Sequence, residues 1–136
     1  MDKWDKWDRR FLRLAREVSY WSKDPSTQVG AVVVGGKNKV LGLGYNGFPI
    51  PIKDTKEALE NRQVKYARMI HAEENALLNR LGELPFPLRL YTYPIPPCAH
   101  CAALALQLGV REFISIHPTT SHCTRWGANW EVADAL

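Results

Sequence analysis

Trp4, Trp7, Phe11, Leu14, Ala15, Val18 and Trp21 recur at steps of three and four, with charged residues between them. That spacing predicts an amphipathic helix with one apolar stripe, and the stripe reads as core packing. The helix is expected to stop before Asp24-Pro25, because proline disfavours helical geometry at the residue before it. VGAVVV (29–34) and VLGLGY (40–45) flank GGKNK, which predicts a β-hairpin with a Gly/Asn turn. NGFPIPIKDT (46–55) reads as a loop, and KEALENRQVKYARM (56–69) as a helix. A second helix is expected over 72–81, ended by Gly82.

LRLYTY (88–93) predicts a strand. Cys98 to Leu108 predicts a helix, with Gly109 at its end. REFISI (111–116) alternates as a strand, and the tail from Trp126 to Leu136 predicts a final helix. An antiparallel hairpin followed by strand-helix-strand units implies an α/β fold, a mixed sheet with helices on both faces. No repeat, low-complexity tract or internal boundary divides residues 1–136, so a single domain is expected.

Composition changes this picture little: 46% of residues are hydrophobic and 24% charged. No stretch approaches the apolar length of a membrane span. MDKWDKWDRR at the start lacks the apolar run of a secretory signal, so a reducing cytoplasm is expected. The formal charge of +4 is a weak pull toward phosphate-bearing partners, and no block of basic residues concentrates it.

The chemistry begins at MIHAEENALLNR (69–80). His71 and Glu73 stand two apart at the front of a predicted helix, a spacing that does not bring side chains face to face. YPIPPCAHC (93–101) supplies the rest. Pro97 suits the start of a helix, where its missing N–H is harmless. Cys98 and Cys101 then share one face of the first turn, where free N–H groups and the helix dipole favour thiolates. Two thiolates at C-x-x-C spacing make half of a tetrahedral zinc site. His71 is the third ligand if the two helices follow adjacent parallel strands and start at one sheet edge. One position stays open for water, with Glu73 beside it to move a proton.

Two other readings stay open. A C-x-x-C also suits a redox pair. A closed structural zinc site would take a fourth ligand from His100, His117, His122 or Cys123.

His71-Ala72-Glu73 with Pro97-Cys98-x-x-Cys101 matches the H-x-E…P-C-x-x-C pattern of zinc nucleobase deaminases. The chain more closely resembles the deoxycytidylate deaminase family. The resemblance rests on SKDPSTQVGAVVV (22–34), GYNGFP (44–49), HAEENAL (71–77) and PCAHCA (97–102), in order from about residue 5 to 117. It implies a cytidine-deaminase-like three-layer α/β/α fold with four to five strands, the fifth left open by the short tail. It also implies hydrolysis of dCMP to dUMP and ammonia, supplying dUMP for dTMP synthesis. Water activated by zinc attacks C4, and Glu73 protonates N3 and then the departing amine.

Further roles follow from the same resemblance. The Ala72 N–H and the carbonyl near Pro97 contact the base edge, and Asn46 holds the sugar. Lys23, Ser26 and Thr27 lie at the phosphate end, although Ser26 and Thr27 also suit a plain turn after Pro25. Members of the family are typically homohexamers, activated by dCTP and inhibited by dTTP. Gly47, Phe48, Arg62 and Lys65 are the candidates for that regulatory site, with Mg2+ accompanying the triphosphate. Arg62 and Lys65 equally suit a solvated helix face.

Two departures from the family stand out. The loop after GYNGFP carries no cysteine, where some relatives bind a second zinc, so one Zn2+ per chain is expected. The segment YPIPPC replaces a threonine and an aromatic residue common in relatives. Rival substrates are dCTP, free cytidine and tRNA adenosine, while nucleic acid fits the motifs less well. The alternative from another class is a non-catalytic module in which zinc serves only the fold.

Overall fold

The computed structural model describes residues 5–80 and 87–116, and the backbone of 123–127. Helix α1 spans Lys6–Ser19 and opens on a capping box. The Asp5 side chain accepts from the Asp8 N–H at 2.8 Å, satisfying a backbone donor that the helix leaves free. Phe11, Leu12, Ala15 and Val18 form its buried stripe. Trp4 lies outside the described residues. Trp21 departs from the expected stripe: it follows the helix end, stays exposed and meets Tyr45 edge-on.

Strand β1 (Gly30–Val34) is buried throughout, which explains its unbroken apolar run. Val32 and Val34 face α1 with Tyr91 and Ile114. Ala31 and Val33 face the opposite layer. Strand β2 (Val40–Tyr45) pairs antiparallel with β1 through a tight turn in which Lys37 and Asn38 take positive φ. The glycines of VLGLGY admit a helix onto this strand. A Cβ on Gly44 would stand 2.2 Å from the Ala76 nitrogen and one on Gly42 2.3 Å from its oxygen.

The helix predicted over 56–69 is two helices, α2 (Lys56–Glu60) and α3 (Arg62–Arg68). Asn61 breaks them: its backbone is extended and its side chain accepts from the Gln63 and Val64 N–H groups. Helix α4 covers Ala72–Leu78, shorter than the expected 72–81. Asn75 and Asn79 donate instead to the carbonyls of Tyr45 and Leu43 on the edge strand β2. Gly82 lies outside the described residues.

Strand β3 (Leu88–Tyr93), helix α5 (Ala99–Gln107) and strand β4 (Val110–Ile116) follow. Gly109 turns the chain out of α5 with φ 107°. The fifth strand, left open by the sequence, is present as β5 (Cys123–Gly127), antiparallel to β4. The expected helix from Trp126 is therefore wrong at Trp126 and Gly127, and residues 128–136 lie outside the described ones. The side of β4 turned away from β3 carries backbone groups, and β5 satisfies them.

The sheet order is β2-β1-β3-β4-β5, with only β3 and β4 parallel. Helix α1 covers one face, and α4 and α5 the other. This is the expected three-layer α/β/α architecture with a mixed sheet. Among the described residues no helix is long and apolar enough to cross a membrane.

Candidate active site

Helices α4 and α5 both begin at the same sheet edge, but not by the expected route. Their preceding strands β2 and β3 run in the same direction on either side of antiparallel β1, rather than side by side. His71 is the N-cap of α4, and Cys98 the N-cap of α5. Pro97 therefore lies one residue before the cap, not inside the first turn. The His71 backbone N–H donates to Glu74 Oε1 at 3.1 Å, which fixes the entry to α4. Cys98 Sγ accepts from the Cys101 N–H at 3.5 Å.

His71 Nδ1 lies 3.6 Å from Cys98 Sγ and 3.3 Å from Cys101 Sγ. Tetrahedral zinc with nitrogen and sulfur ligands sets that separation at about 3.6 Å. All three ligand atoms lie within 4.8 Å of one another. Burial pushes the Cys101 thiol far up, and the neighbouring Glu73 carboxylate adds to this. A divalent cation reverses that balance, because coordination deprotonates a thiol. The donor set thus fits zinc by distance, ligand type and charge. Among the described residues it is the one group of histidine, cysteine and carboxylate ligands able to hold a metal, and it has three members rather than four.

Glu73, in the first turn of α4, is buried at 5% exposure. Burial raises its carboxyl above the ordinary range, while its own backbone N–H and the His71 ring pull the other way. It opens onto a cavity of about 1100 Å³ that it shares with His71, Ala72, Pro97 and Cys98. Asp24, Ser26, Thr27 and Asn46 line the same cavity.

Asp24 was not singled out by the sequence, although D-P-S-T is a turn signature. Its Oδ1 accepts from the Ser26 N–H at 2.9 Å, the Ser26 hydroxyl at 3.0 Å and the Thr27 N–H at 3.1 Å. Lys65 Nζ donates to the same oxygen at 2.7 Å. Burial alone would raise the Asp24 carboxyl. The hydrogen bonds from Lys65, Ser26 and Thr27 outweigh it and hold the group below the ordinary carboxylate range.

Asn46 is buried and committed on both ends of its amide. Its Oδ1 accepts from the Val29 N–H at 2.9 Å, and its Nδ2 donates to the Thr27 carbonyl at 2.8 Å and to Asp24 Oδ2 at 3.3 Å. Lys23 does not line the cavity; it is exposed and pairs with Asp54 at 3.2 Å. Gly47 and Phe48 do not line it either, and Gly47 bridges to Ile70. Arg62 and Lys65 do line it, so the structure puts them in the same cavity as Glu73. Lys65 is buried rather than on a solvated helix face.

A three-ligand metal cluster, a buried carboxylate beside it and an α/β/α frame define a metal-dependent enzyme of the hydrolytic type. The model of the cytidine and deoxycytidylate deaminase zinc-binding region matches residues 5–117, and the chain belongs to that family. It is 38% identical over 131 residues to an uncharacterized deaminase in the luxG 3′ region of Aliivibrio fischeri, covering 96% of this chain and 86% of that protein. It is 36% identical over 118 residues to human deoxycytidylate deaminase. That match covers 83% of this chain and 66% of the human protein. The crystal structure of dCMP deaminase from the cyanophage S-TIM5, in complex with dCMP and dUMP, shares the fold. Its TM-score is 0.68 at 24% identity, covering 82% of this chain and 81% of that one. The chain is an enzyme, a deaminase of the zinc type.

Proposed function

We propose that this chain hydrolyses dCMP to dUMP and ammonia, with zinc held by His71, Cys98 and Cys101. The observation that carries this reading is a buried carboxylate, Glu73, that lines the cavity with His71 and Cys98 and stands outside the three-residue donor group. A structural metal site has no use for it. The names of relatives support the substrate: deoxycytidylate deaminases match at 36% identity.

Zinc, held by His71, Cys98 and Cys101, would supply Lewis-acid activation of water. Glu73 would take one proton from the attacking water and deliver it to N3 of the base, then take the second from the new C4 hydroxyl and pass it to the leaving amine. The C4–O bond forms, the C4–N bond breaks and ammonia leaves. Ala72 and Pro97 line the cavity, which supports their reading as contacts for the base edge. Asn46, with both amide ends occupied, chiefly holds the turn at residues 24–29 in shape and has one Oδ1 lone pair left for the sugar.

The same reading includes activation by dCTP, inhibition by dTTP with magnesium, a homohexamer, and a cytoplasmic supply of dUMP for dTMP synthesis. Its support is the family resemblance and the loop 46–55, which the Gly47–Ile70 bridge ties to the residue before His71. Sigmoidal turnover that rises with dCTP and falls with dTTP is expected. Hyperbolic kinetics indifferent to both would show a catalyst without the switch. Ammonia release from dCMP, dCTP, cytidine and a tRNA hairpin tests the substrate. Turnover is expected with dCMP, and preference for any other member overturns the reading.

A further inference from the structure

We propose that Arg62 and Lys65, both on α3, form the phosphate-recognising wall of the catalytic cavity and set its preference for a nucleotide over a nucleoside. The inference rests on the reading of dCMP as substrate. It assigns the phosphate to residues outside the segment 22–34.

The turn at Asp24 has little left to offer a phosphate. The backbone N–H groups of Ser26 and Thr27 both donate to Asp24 Oδ1, so neither is free for an anion. The Ser26 hydroxyl is bonded to Asp24 and to Lys65 at 2.6 Å. Lys23 is engaged with Asp54 and lies outside the cavity lining. A phosphate in a partly enclosed cavity needs a cationic partner. Apart from the proposed metal ligand His71, the cationic side chains among the described residues lining the cavity are Arg62 and Lys65.

Their environments divide the work. Lys65 is 8% exposed, and a lone buried ammonium would be costly. Asp24 offsets that cost and fixes Nζ in the wall at 2.7 Å. Asp24 and Ser26 use two of the three ammonium hydrogens, which leaves one donor on a residue that lines the cavity. Asp24 also cancels the Lys65 charge, so Lys65 gives direction more than attraction. Arg62 gives the attraction: it is exposed, lines the same cavity and makes no ion pair with the described residues. Its planar fork suits two phosphate oxygens at once. Glu60 shares this wall and repels an anion, so the two cations must act together.

The test compares kcat/KM for dCMP and for deoxycytidine in the zinc-loaded protein, and calorimetric binding of dUMP and deoxyuridine. Arg62→Gln is expected to lower the dCMP-to-deoxycytidine ratio at least about tenfold, mainly through KM. It should weaken dUMP more than deoxyuridine. Lys65→Met should lower the ratio as well, and Lys65→Arg should restore part of it. Arg62 is exposed, so its variant decides the matter even if Lys65→Met fails to fold. Ratios unchanged in Arg62→Gln overturn the proposal. A wild-type protein that does not turn over dCMP, yet prefers dUMP to deoxyuridine through Arg62, overturns the proposed reaction and leaves the phosphate wall standing.

Discussion

Lys65 Nζ reaches Asp24 Oδ1 at 2.7 Å across 41 residues of chain, and both side chains are buried. This pair joins α3 to the turn that precedes β1, and Asn46 joins the same carboxylate from the end of β2. Three separate segments thereby become one wall of the cavity that Glu73 lines. Removing one partner leaves a buried charge without its counterion. Lys65→Met is expected to destabilise the fold by about 3 kcal/mol, toward the low end for broken buried pairs because the turn amides still satisfy Asp24. Urea unfolding of the variant and the wild type measures this, and equal midpoints would remove the pair from the account.

The same carboxylate predicts a pH dependence. Asp24 titrates below its ordinary value of 3.8 in the folded chain. The unfolded chain therefore binds the proton first as pH falls. The stabilisation from Asp24 is fully present above the unfolded value and is lost as pH falls through the folded one. Between pH 5 and 8, about the range where proteins are most stable, it stays constant. Chemical unfolding followed from pH 6 to pH 2 should show a downward slope that is shallower in Asp24→Asn. Parallel curves would mean that the carboxylate titrates alike in both states.

Glu73→Gln keeps nearly the same volume and removes the carboxyl group proposed to carry the proton. Zinc content and fold are expected to remain, while the rate falls by roughly 10²–10⁴, the usual worth of general acid–base catalysis. Steady-state turnover of dCMP with metal analysis on the same sample checks both halves. Full activity in this variant would assign Glu73 to the fold.

Metal retention separates three ligands from four. Cys98→Ala and Cys101→Ala should each lose zinc, because each removes a donor from a set of three. Loss of metal then lowers stability, since ligand binding and folding are coupled. Cys123→Ser should keep zinc at one ion per chain. Metal lost from Cys123→Ser would instead establish a closed four-ligand site.

The metal motif was legible because each half is local. His71 caps α4 and Cys98 caps α5, and cap positions follow from the few residues around them. The stripe of α1, the buried run of β1 and the stop at Gly109 were readable for the same reason. Each expresses a period or a backbone preference within one segment. The break at Asn61 and the early end of α4 were harder. There asparagine side chains compete with helical hydrogen bonds, and at α4 their partners lie on another strand.

Sequence by itself determined the helix starts that carry His71, Glu73, Cys98 and Cys101, and so the chemistry they can perform. Tertiary structure decided which cations share that cavity. Arg62 and Lys65 read equally well as a solvated helix face, and Lys23 as a phosphate ligand. Burial and pairing depend on what folds against a residue from far along the chain, and no local period records that Asp24 waits for Lys65. The fifth strand belongs to the same class, because β5 exists through the hydrogen bonds that β4 offers it.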